Sequence, residues 1–181
     1  MTASPPEGTL TGAAHLSRVG ILAAAAVAAY VFESLLPSPV PWARIGLSNV
    51  FVVAALFGFG ARDALLVNLV RVIAGNFLMG FMFSPAFIFS LAGSTAALGV
   101  MALLRWRLWP RLSVVGISCL GAVTNNVVQV TVFTLLFSAA GAARGLMGSF
   151  ILLGTGVGFF TGLVAMAIIS KVRLETAPPV D

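Results

Sequence analysis

The chain has 181 residues, 60% of them apolar and 8% charged, with a mean hydropathy of +1.09. A soluble domain carries about a quarter charged residues, so this composition describes a chain whose solvent is mostly lipid. It excludes a cytosolic enzyme, a secreted disulfide scaffold and a single-pass receptor with a folded head. Six spans of about 20 residues take roughly 120 residues and leave about 60 for loops and tails. The net charge of +5 would suggest nucleic acid in a soluble protein. Here the basic residues sit at the ends of apolar runs, which is the pattern of membrane topology, and no nucleic-acid partner is expected.

In chain order, residues 1–16 are polar and small and read as a disordered tail. The first apolar run, Ser17–Leu36, has no small-residue cleavage site and is read as a retained helix. Three prolines in Pro37–Gly46 make a stiff loop before a short run at Leu47–Gly60. A third run is expected over Ala64–Phe83 and a fourth over Ala86–Leu104, with Pro85 suited to a first helical turn. The connector RWRLWPR (Arg105–Arg111) leads to runs at Leu112–Ala140 and Leu146–Ser170, and residues 174–181 form a second tail. The expected fold is thus an all-α bundle of six transmembrane helices over residues 17–173.

With the N-terminus inside, Arg18, Arg62, Arg105, Arg107, Arg111, Lys171 and Arg173 are cytoplasmic, and Arg44 and Arg144 lie outside. That bias places both termini in the cytoplasm and the chain in the cell membrane. No repeat at a fixed period supports an inverted-repeat transporter.

Arg71 stands well inside the third run. A lone arginine near the bilayer centre costs at least about 2.5–3.5 kcal/mol, so it must face protein or water. At 100° per residue Asn68, Arg71 and Gly75 share one face, with Asn76 on its flank. The plain interpretation is a bundle-holding arginine; the functional one is a substrate or ion contact. On the fifth run Ser118, Asn125 and Gln129 form a polar stripe beside Thr124 and Asn126. One amide is often interhelical glue, whereas three in five residues suggest a lined cavity. Amides beside an arginine favour a polar or anionic small molecule over a cation.

Glu33, Arg44 and Asn49 fall near the outer mouth, as an interfacial pair or as pocket residues. Several helical turns of depth are expected to separate Glu33 from Arg71. Gly154, Gly158 and Gly162 make overlapping GxxxG steps suited to helix packing. Ala24 and Ala28 form a small-residue seam, for internal packing or for a docking partner. The connector's arginines and tryptophans read as a topology anchor in an aromatic belt. His15 and Cys119 carry no assigned role. No carboxylate pair, histidine cluster or activated nucleophile is evident, so neither an enzyme nor a metal or other cofactor is expected.

The segments ESLLPSPVP, ARIGLSN, LLVNLVRVIAGN, SPAFIFSLAGSTAALGVMALL and GISCLGAVTNNVVQ resemble the Gx transporter family, also labelled heptaprenyl diphosphate synthase component I. The chain departs from that pattern at Arg44, where lysine is common, and at Asn125, where histidine often precedes Asn126. The family is similar to substrate-binding S subunits of energy-coupling-factor transporters. The resemblance implies a subunit without its own ATPase, which binds a vitamin- or cofactor-precursor-like molecule. It also implies a transmembrane coupling protein and ABC-type ATPases as partners, docked along a seam such as Ala24/Ala28. The alternative is a non-catalytic membrane partner of an isoprenoid, quinone-synthesis or electron-transfer enzyme.

Overall fold

The structure, a computed structural model, describes residues 7–36, 46–138 and 140–176. Six helices run through them: α1 (Glu7–Leu35), α2 (Leu47–Gly58), α3 (Ala61–Leu78), α4 (Pro85–Leu108), α5 (Val114–Phe137) and α6 (Ala140–Thr176). Four contain stretches long and apolar enough to cross a membrane, at Gly12–Leu35, Pro85–Leu108, Val114–Phe137 and Met147–Ser170. The protein is an all-α, multi-pass membrane protein. Neighbours in the bundle are α1 with α2 and α3, α3 with α4, α4 with α5, α5 with α6, and α2 with α6 and α3.

Helix α2 organises the rest. Its 12 residues rise about 18 Å, well short of a hydrocarbon core of about 30 Å. Val52, Val53, Ala54, Ala55, Leu56 and Phe57 are all buried. Six consecutive buried positions occupy every face, the signature of a helix enclosed by others rather than exposed to lipid. The short run at Leu47–Gly60 is therefore a central half-length helix. Its start lies at the level of a buried polar cluster, and its end lies at a basic end of the bundle.

At that basic end His15 on α1 meets Asp63 on α3 at 3.3 Å and stacks edge-on against Phe59. Arg105 on α4 donates to the Leu56 carbonyl and lies over the Phe57 ring, which also touches Trp109. The last turn of α2 exposes carbonyls with no helical partner, and a cation there also suits the helix dipole.

Several boundaries differ from those expected. Residues 7–16 are helical rather than a disordered tail. Pro6 followed by the acidic Glu7 is a helix-start signal that outweighs the polar composition. Helix α3 stops at Leu78 instead of Phe83. Gly80 takes φ 72°, and the Phe81 N–H closes back on the Asn76 carbonyl at 2.8 Å, a glycine-terminated C-cap. The first four residues of RWRLWPR belong to α4. Nothing stops that helix before Pro110, which holds Trp109 extended at ψ 135°. At the other terminus α6 continues to Thr176, into the segment expected as a tail from 174.

Glycines on α6 let it approach α5 closely. A Cβ at Gly158 would sit 2.5 Å from Cys119 Cα, and one at Gly162 would sit 2.7 Å from Val115 Cα. At Gly154 it would meet Asn126 Nδ2 at 2.9 Å. All three face α5 backbone or side chain, so the GxxxG steps form an internal seam. Ala24 and Ala28 are exposed on α1, while Ala23, Ala26 and Tyr30 point inward.

Candidate functional site

The buried polar side chains are concentrated in the half of the bundle away from the basic end. Glu33 belongs to the last turn of α1, Ser48 to the first turn of α2, and Asn68 and Arg71 to the middle of α3. All four are buried, with Arg71 4% and Glu33 5% exposed. Arg71 donates through NH1 to Ser48 Oγ at 2.8 Å and through NH2 to Asn68 Oδ1 at 2.7 Å. Ser48 Oγ in turn donates to Glu33 Oε2 at 2.9 Å. The other carboxylate oxygen accepts the Leu47 N–H, so Glu33 caps α2 from a different helix. Gly46, at the N-cap with φ 85°, provides no side-chain cap of its own, and a carboxylate at a helix N-terminus is electrostatically favoured.

Glu33 and Arg71 are thus joined through Ser48, although the spacing in sequence suggests separation by several turns. The Tyr30 ring lies against Gly75, where any Cβ would overlap it, and this contact fixes the depth of α1 against α3. Counting outward from Tyr30 and inward from Gly75, the two Cα atoms are roughly 10 Å apart along the axis at 1.5 Å per residue. Two long side chains with a serine between them cover that interval.

A second polar wall comes from α4 and α5. Ser90 and Ser94, one turn apart on α4, face Asn125 and Gln129, one turn apart on α5. Gly93 lets the helices close: a Cβ there would be 2.7 Å from Asn125 Oδ1. Gln129 donates to Asn125 Oδ1 at 3.3 Å, and Asn125 donates to Asn126 Oδ1 at 3.4 Å. Both are long contacts and correspondingly weak. Across the seam, Tyr30 Oη and Ser90 Oγ lie 3.4 Å apart. Ser94 is 6% exposed, and its hydroxyl has no hydrogen-bond partner among the described residues.

The two walls enclose a cavity of about 30 Å³, lined on one side by Glu33, Ser48, Asn49 and Arg71 and on the other by Ser90, Ser94, Asn125 and Gln129. That volume accommodates about one water molecule, far below the several hundred Å³ of a drug-sized pocket. Above the cavity the Phe89, Phe133 and Phe137 rings pack together, with Phe133 and Phe137 centred 5.1 Å apart.

Of the residues singled out in sequence, Glu33, Asn49, Arg71, Asn125 and Gln129 meet at this cavity. Asn76 does not: it is buried with its Nδ2 donating to the Val72 carbonyl at 2.7 Å. Asn126 turns away as well, donating to the Phe150 carbonyl of α6 at 2.8 Å. One residue is 100° of helix, so Asn126 cannot share the face of Asn125. Arg44 lies outside the described residues. Tyr30, Ser48, Ser90 and Ser94 are not expected at the site from sequence. The i, i+4 spacing of Ser90 and Ser94 is the signal that points to the second wall. Among the described residues no group of three or more His, Cys, Asp or Glu side chains could hold a metal ion.

Residues 22–168, from the middle of α1 to near the end of α6, match the family described as heptaprenyl diphosphate synthase component I. No curated protein and no solved structure matches the chain. The family match covers most of the bundle, including both walls of the cavity, and the chain belongs to the heptaprenyl diphosphate synthase component I family.

Proposed function

We propose that the chain is a membrane substrate-binding and translocating subunit for a small polar or anionic molecule, driven by a separate ATPase module. The observation that supports this most strongly is the buried cavity between a charged wall on α1–α3 and an amide-and-hydroxyl wall on α4–α5. Burying a charged and amide-rich cluster in a membrane bundle is expensive, and an internal cavity is a reason to bear that expense. The basic end, with Arg62, Arg105 and Arg107, suits the cytoplasmic face. The cavity then belongs to the outer half, reachable from outside. A vitamin- or cofactor-precursor-sized ligand requires the α1–α3 and α4–α5 walls to part. Ala24 and Ala28, exposed on α1, offer a small-residue surface on which a transmembrane coupling protein with ABC-type ATPases would dock.

In this reading the chain does no catalysis. Ionising an allylic diphosphate takes several carboxylates around magnesium, whereas the described side chains supply Glu33 at the cavity and Asp63 at the opposite, basic end. The family description nevertheless favours a second reading, a non-catalytic membrane partner of an isoprenoid- or quinone-synthesis enzyme or of an electron-transfer enzyme. Affinity purification from native membranes in mild detergent, followed by mass spectrometry, separates the two. A coupling protein with ABC-type ATPases supports the transport subunit. A prenyl synthase or flavoprotein released by neutralising Arg105, Arg107 and Arg111 supports the second reading instead.

A further inference from the structure

We infer that the cavity is a receptor for a small carboxylate, and that Glu33 occupies this receptor as an internal stand-in for the ligand's carboxyl group. The inference rests on the substrate-binding reading above and specifies the ligand's chemistry. The receptor is the set of donors that hold Glu33. The Leu47 N–H takes one carboxylate oxygen; Ser48 Oγ takes the other at 2.9 Å; Arg71 donates into Ser48 at 2.8 Å. A helix N-terminal amide, a hydroxyl and a guanidinium behind it are the groups that bind an external carboxylate. All three come from α2 and α3. The carboxylate they hold comes from α1, two residues before that helix ends.

The sign of the site follows from removing Glu33 from the count. What remains is Arg71 and the positive end of the α2 dipole, so the fixed field favours an anion. An ammonium ligand would enter beside that guanidinium with Glu33 as its counter-charge. The opposite wall points to a ligand independently: Ser94 is buried, lines the cavity, and its Oγ has no partner among the described residues. Asn125 and Gln129 beside it hold each other at 3.3 Å, leaving amide capacity for neutral groups on the ligand's body. A second carboxylate beside Glu33 would compete for the same donors and meet its like charge. The ligand therefore displaces Glu33, and a change of rotamer in the last turn of α1 clears the receptor without disturbing α2 or α3.

The test uses the full chain in detergent, with sodium acetate and methylammonium chloride as probes at constant ionic strength, read by calorimetry and thermal shift. Glu33→Gln should bind acetate about tenfold or more tightly than the wild type, because the competing like charge is gone. Ser48→Ala in that background should weaken acetate binding again. Glu33→Asp draws the charge back from Leu47 and Ser48 and provides the same comparison where the glutamine variant does not fold. Acetate affinity equal to or below that of the wild type overturns the inference. Methylammonium binding that requires Glu33 also overturns it, while leaving the substrate-binding reading intact. Absence of saturable binding for both probes in every variant overturns both.

Discussion

Glu33 and Arg105 hold opposite ends of α2: the carboxylate accepts the Leu47 N–H, and the guanidinium donates to the Leu56 carbonyl. One anion sits at the positive end of the helix dipole and one cation at the negative end. These tertiary caps satisfy terminal backbone groups of α2 that have no partner within the helix. The same arrangement puts Glu33, and through Ser48 also Arg71, at the cavity. The device that ends α2 at half the depth of the membrane is therefore also what assembles the charged wall.

Arg71→Leu should destabilise the protein by about 3–5 kcal/mol, since it leaves Glu33 and Ser48 without their cationic partner in a buried setting. Arg71→Leu combined with Glu33→Gln should lose less than the sum of the single changes, with a coupling of about 0.5–3 kcal/mol. Thermal unfolding of the four proteins in one detergent measures the coupling. Strict additivity would show that the chain through Ser48 carries no energy.

Arg105→Ala should lower stability by about 1–2 kcal/mol through loss of the C-terminal contact on α2. Arg105→Lys keeps the charge but not the planar fork and should fall between the two. Arg107, which lies over Trp106 on the exposed side of the same helix, should be replaceable by alanine with little change in melting temperature. A melting curve for each variant decides this, and equal effects at both positions would contradict the capping role.

The two glycine environments predict opposite results. Gly75→Ala forces a methyl into the Tyr30 ring and should cost about 1–3 kcal/mol through overpacking. Gly99 has no atom near its Cβ position, and Gly99→Ala should stabilise α4 by about 0.5–1 kcal/mol. The same melting measurement reads both changes.

Asn126 and Gln129 should separate structure from binding. Asn126→Ala removes the bond to the Phe150 carbonyl and should lower stability by about 0.6–1.7 kcal/mol without altering ligand affinity. Gln129→Ala should do the reverse. Parallel melting and binding curves test the division, and a binding defect confined to Asn126→Ala would reverse it.

Much of the site is legible in the order of residues alone. Arg71 stands out because a charge in an apolar run must face protein, and the helical wheel groups it with Asn68 and Gly75. Asn125 and Gln129 are found by the same periodicity, which also excludes Asn126 once its 100° offset is weighed. Ser48 is not legible. A serine in a membrane helix can satisfy itself on a carbonyl one turn back, so its presence in an apolar run carries little information. The link between Glu33 and Arg71 is hidden for a different reason. It depends on the depth at which α2 begins and α3 ends, set by Gly46, Gly80 and the Tyr30–Gly75 contact rather than by composition. Likewise the helical segment at 7–16 is masked by polar composition, though Glu7 and the preceding prolines mark its start.

The measurement closest to the central claim is native mass spectrometry of the protein extracted from its own membranes, comparing wild type with Ser94→Leu. The leucine side chain would fill the cavity from its neutral wall while leaving Glu33, Ser48 and Arg71 in place. A small polar or anionic molecule should be bound to the wild type and absent from Ser94→Leu, with both proteins folded. Equal retention of the same molecule by both would show that substrate binds elsewhere and would contradict the assignment of this cavity.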